Sequence, residues 1–179
     1  MKTNSVMKRN KAGAKVRDLV RLLDQMRSLY AQMFAVIDEK LMAMRRSDVD
    51  AMAHAAAKER VLADRLSERE GFRKQLMDAV GDEIGLTGRS GRRLTVSQLA
   101  NRLEDHHRAG LLAAADRLRK EVSKVAQANR VAGVVAREVV NHLQWVFAAV
   151  RPGEEEPSEY SKSGAVVSRS AGPLFDAVG

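Results

Sequence analysis

Between Val16 and Met44 apolar side chains recur in alternating steps of three and four: Val16, Leu19, Leu23, Met26, Tyr30, Met33, Ile37 and Met44, with Lys40 in the one polar slot. That period places them along one face of a long amphipathic helix. The alkyl stem of Lys40 can cover apolar surface while its ammonium reaches water. Val20, Phe34, Val36 and Leu41 broaden the apolar surface, so this helix is expected to pack against more than one neighbour. Residues 1–12 are polar and basic and lack the period, which predicts a flexible basic arm.

Ser47 and Asp48, both good helix caps, mark a connection over residues 45–50. A second helix is predicted from Val49 to Val80, with Met52, Ala55, Leu62, Leu66, Phe72, Leu76 and Val80 facing inward. So short a link returns the second helix antiparallel to the first. Gly81, Gly85, Gly88 and Gly91, interspersed with Arg89, Arg92 and Arg93, predict a loop. Thr95 and Gln98 have the spacing of a capping box and open a third helix carrying Val96, Leu99 and Leu103. The register slips near His106–Gly110, where a kink or short break is expected.

The longest stripe lies in the last helix: Leu111, Ala115, Leu118, Val122, Val125, Asn129, Ala132, Ala136, Val139, Leu143, Val146 and Val150. A sustained heptad-like seam requires a helical partner, and the first hairpin can supply one. The expected fold is all-α, an elongated antiparallel bundle over residues 13–150 with three long helices and one short one. All three prolines, Pro152, Pro157 and Pro173, follow Val150, together with the acidic run Glu154–Glu156 and a Ser- and Gly-rich stretch. Residues 151–179 therefore read as a flexible tail that could not offset its ordering entropy alone.

Composition supports this reading: 45% of residues are apolar but only 4% aromatic, and unbranched side chains favour helices. Cysteine is absent, which excludes disulfides and thiolate metal sites. The first residues lack the apolar run of a signal peptide, and no window has the roughly 20 apolar residues of a membrane span. The expected location is the cytoplasm. A net charge of +8 raises the question of polyanions. Much of the basic charge is dispersed among Asp and Glu along the helices, as on a solvated face.

No constellation for catalysis, a cofactor or a metal stands out, and the chain is not expected to be an enzyme. Glu104 and His107 have the Glu-x-x-His spacing of di-iron bundles, but the second such motif is missing. Gly85–Arg93 lacks the strand and the Gly-Lys-Ser/Thr ending of a phosphate loop. Asn129 interrupts the last stripe. It is read first as a buried amide that fixes register, with an exposed, partner-accessible position as the alternative. Trp145 and Phe147 are expected in the bundle core or at helix-end packing, although both cannot face one way. Tyr160, Leu174, Phe175 and Val178 are apolar points in the tail, suited to anchoring a partner or folding back on the bundle.

The arrangement resembles the FlgN-like family of flagellar export chaperones. The likeness rests on the helical hairpin, the Leu94–Leu99 entry into the third helix and Gln127-Ala128-Asn129-Arg130 in the last. It also rests on a Tyr-x-x-x-Gly element, Tyr160 to Gly164, and on the terminal Leu174-Phe175-Asp176-Ala177-Val178. The basic arm and the Arg-rich loop depart from the family's pattern. The resemblance implies a cytoplasmic chaperone for hook-associated proteins, those of the hook–filament junction. It implies client contacts at the late helix and tail, around Asn129, Gly164, Leu174, Phe175 and Val178, with Tyr160 helping to dock on the type III export gate. Export ATPase components belong to the same machinery; no cofactor, small-molecule substrate or membrane insertion is implied. Two other classes compete: a basic helical nucleic-acid-binding protein using the arm and Arg89, Arg92 and Arg93, and a structural coiled-coil oligomer.

Overall fold

The computed structural model describes residues 2–86 and 94–150, with side chains from Ala12 onward. Among them the fold is all-α: α1 (Lys2–Arg45), α2 (Val49–Glu83), α3 (Val96–Ala100) and α4 (Asp105–Val150). Three helices are long and one is short, as the periodicities predict. α1 begins at Lys2, inside the stretch whose lack of period suggested an arm. Nothing in those residues breaks a helix outright, and the side chain of Ala12 is buried.

The turn between α1 and α2 is set by hydrogen bonds. Asp48 N–H donates to Ala43 O at 3.0 Å and Ser47 N–H to Met44 O at 3.1 Å, the paired bonds of a Schellman ending. Ser47 has φ 53°, a left-handed conformation that glycine adopts more cheaply. Asp48 then caps α2, its carboxylate accepting from Ala51 N–H at 2.9 Å. α2 outlasts the predicted end at Val80 and stops through the same device. Leu86 N–H donates to Gly81 O at 2.9 Å, while Gly85 takes φ 72°, so a side chain there would be strained.

Thr95 and Gln98 form the expected capping box, with both reciprocal bonds present, at 3.0 and 3.2 Å. α3 is a single short helix. The break that follows occupies residues 101–104, not His106–Gly110, and α4 runs unbroken from Asp105 through those residues. Asn101 N–H and Arg102 N–H close the turn on Ser97 O and Leu99 O. The apolar register slips because a new helix has already begun.

Residues up to Val139 form one compact unit and residues from Val140 another. The first contains two buried clusters. One joins Val16, Leu19 and Leu23 of α1 to Met77 and Val80 of α2, Leu99 of α3 and Leu111 and Ala114 of α4. The other joins Met33, Ile37 and Leu41 to Ala55, Leu62 and Leu66 of α2 and to Val125 and Ala132 of α4. Early α1 thus meets late α2, the signature of an antiparallel hairpin. α4 accompanies α1 in the same direction: Arg117 pairs with Asp24, 93 residues away, at 3.2 Å. Phe72 and Phe34, both predicted apolar positions, are exposed, whereas Met77 is buried.

Ion pairs follow the dispersed charge. Lys40 of the α1 stripe pairs with Glu59 of α2, and Lys15 reaches Glu83 at 2.9 Å. Arg21–Asp18, Arg27–Asp24 and Lys124–Glu121 lie along single helices; exposed pairs of this kind contribute little.

His107 fastens the start of α4 to α1. Its ring lies against Gly13, where a Cβ would stand 2.7 Å from Nε2. Burial, then the neighbouring charges of His106 and Arg17, hold the imidazole below its ordinary pKa, with Glu104 opposing them. The fold therefore favours the neutral ring, while the unfolded chain takes up a proton at about 6.5. Stability contributed here is present above that value and is lost as pH falls from it toward the lower folded-state pKa. His107→Gln should accordingly flatten the decline in urea midpoint as pH falls below about 6.5. Parallel profiles for the two proteins would contradict this.

Leu19 is wholly buried, so Leu19→Ala should cost about 2–5 kcal/mol in urea unfolding. Phe72→Ala, at a position 42% exposed, should cost much less. Equal costs would mean that the first cluster is not the core.

Candidate protein-binding surface

The seam of α4 changes character along its length. Leu111, Ala114, Val125 and Ala132 are buried, and Leu118, Ala128 and Val135 pack against the same clusters. Around Asn129 the packed positions are the buried Val125 and Ala132 and the half-buried Ala128 and Val135, so the seam passes one residue to the side of the amide. Asn129 is exposed. The buried-amide reading is thereby overturned, and the alternative, a position that a partner can reach, is the one the structure has.

Residues 139–150 contain no Asp, Glu, Lys or Arg. Val140, Leu143, Phe147 and Val150 follow steps of three, four and three, which aligns them on one helix face, and all four are exposed. Trp145 projects from another side, its ring 6.3 Å from His142 with the planes inclined by 22°. Trp145 is 69% exposed and Phe147 70%, so the expectation that both belong to core or helix-end packing does not hold. A contiguous apolar patch on a solvent-facing helix marks a site of interaction. Aromatic side chains such as these are favoured anchors for a partner.

Tyr160, Gly164, Leu174, Phe175 and Val178 lie outside the described residues, as do Arg89, Arg92 and Arg93. Of the six predicted partner-binding residues only Asn129 is placed. The stretch from Val140 to Val150 was read as seam rather than surface. Its absence of charge is the signal that could have marked it.

Among the described residues no three His, Asp or Glu side chains converge in a way that could hold a metal. Glu104 and His106 stand 3.8 Å apart on the surface. No helix among the described residues is long and apolar enough to cross a membrane.

No curated protein and no solved structure matches the chain. A family model does, described as FlgN protein, over residues 7–168. It begins within α1, covers the other three helices and reaches past Tyr160 and Gly164. The chain belongs to the FlgN family, a family of flagellar export chaperones.

Proposed function

We propose that this chain is a cytoplasmic chaperone that binds flagellar hook-associated proteins before their secretion and delivers them to the type III export gate. The observation that carries the proposal is the charge-free end of α4, where Val140, Leu143, Trp145, Phe147 and Val150 stand in solvent. Family membership supports the export role. The geometry favours a helical client segment, because a stripe stepped by three and four accepts the apolar face of another helix. Residues 151–179 extend the binding surface, with Gly164, Leu174, Phe175 and Val178 as further client contacts and Tyr160 directed to the gate. Asn129 offers an exposed amide along the same helix. Export requires release, which suits a contact of limited area.

The test is binding of purified hook-associated proteins to the full chain. Replacing Trp145 and Phe147 together by Asp should weaken capture at least about tenfold, roughly 1.4 kcal/mol, with helicity unchanged. Unchanged affinity would sink the assignment of this face.

A second experiment separates the tail's roles. Truncation after Arg151 should preserve helix content while weakening client capture, whereas Tyr160→Ala should impair docking on the export gate and spare client binding. Loss of helicity in the truncated chain, or equal loss of both activities in Tyr160→Ala, would refute that division.

A further inference from the structure

A groove on the α1–α2 hairpin remains uncovered by α4. Two concavities follow each other along it. Leu22 of α1 and Phe72 of α2 border one, and Val36 and Val61 border the other. Leu22 and Val36 are two heptads apart and therefore lie on one stripe of α1. On α2 the bordering residues Lys58, Val61, Arg65, Arg69 and Phe72 step by three, four, four and three. In an antiparallel hairpin both stripes flank the same groove, and no α4 residue lines either concavity.

Any two packed helices leave a shallow groove, so concavity alone argues nothing. Two features set this one apart. Val61 is 51% exposed and Phe72, in the neighbouring concavity, is also open to solvent, while the buried side chains of Val36 and Leu62 make an apolar floor. The second feature is charge. No carboxylate lines either concavity, whereas Lys58, Arg65 and Arg69 do. Lys58 is engaged by Glu39 at 2.9 Å, and the Arg69 guanidinium lies 5.9 Å from the centre of the Phe72 ring. Arg65 has no ion-pair partner among the described residues.

We propose that the groove is a second docking site, separate from the end of α4, for an amphipathic helix of a partner protein whose apolar seam is flanked by acidic residues. The seam would lie on Val36, Val61 and Phe72, and the acidic flank would meet Arg65 and Arg69. Such charge pairing sets partner choice and register more than raw affinity. A chain with both sites could hold two different proteins at once.

The test uses the full-length protein and two labelled synthetic 21-residue helices, about 30 Å long. They share a leucine seam and carry either Glu or Lys at the flanking positions. The Glu-flanked helix should bind at least tenfold more tightly than its Lys counterpart. Arg65→Glu combined with Arg69→Glu should reverse that preference, a result that general stickiness would not give. Val61→Asp with Phe72→Asp should abolish the preference between the two helices, with helix content checked by circular dichroism. In Trp145→Asp with Phe147→Asp, which removes the α4 face that could also take a leucine seam, the preference for Glu flanks should persist, which separates this site from the α4 surface. Equal binding of the two helices, binding of neither, or an unchanged preference in the double-arginine variant would overturn the proposal. So would sedimentation of the wild type as a dimer that Val61→Asp dissociates, since the groove would then belong to a second copy.

Discussion

Leu19, Leu23 and Ile37 escape water only because Met77, Val80 and Leu62 are brought back against them by the turn at Ser47 and Asp48. Each long helix alone would expose a stripe of large apolar side chains, and a single amphipathic helix has little stability in water. The antiparallel return of α2 along α1 is thus the constraint on which the rest is built. It gives α3 and the start of α4 a surface to close, and it leaves one flank of the hairpin open. Its turn is secured by backbone bonds of the Schellman type and by the Asp48 cap, at the cost of one left-handed residue without a glycine.

Much of this was legible because helix periodicity and capping chemistry act locally. The three-and-four stepping from Val16 to Met44, the Asp48 cap and the Thr95–Gln98 box concern residues within a turn or two of each other, and all three appear as expected. The break after α3 was misplaced because an apolar slip shows where the new helix is out of phase, not where the old one ended. Lys40 shows a subtler success: its place in the apolar stripe is filled by an ammonium that finds Glu59 across the hairpin.

The binding surface was harder to see. Whether a stripe is seam or surface depends on whether another helix is there to cover it, and periodicity carries no information about that. Leu111 and Leu143 hold equivalent places in the stripe, yet one is fully buried and the other is 48% exposed. Asn129 illustrates the same limit at one residue. A strict heptad count puts it in the seam, whereas the packed positions drift by one residue and leave it outside. The tail anchors proposed from Tyr160 onward fall beyond the described residues, so the charge-free end of α4 carries the argument for protein binding.

The spacing of the helices has a mechanical consequence. Cα atoms of α1 and α2 approach within 8 Å of each other, but among the described residues no Cα of α4 comes that near to either. Up to Val139, α4 is held by side-chain packing in both buried clusters, by His107 against Gly13 and by an exposed arginine–aspartate pair. An element joined in this way can slide or tilt by small rotamer changes while the hairpin's backbone stays intact.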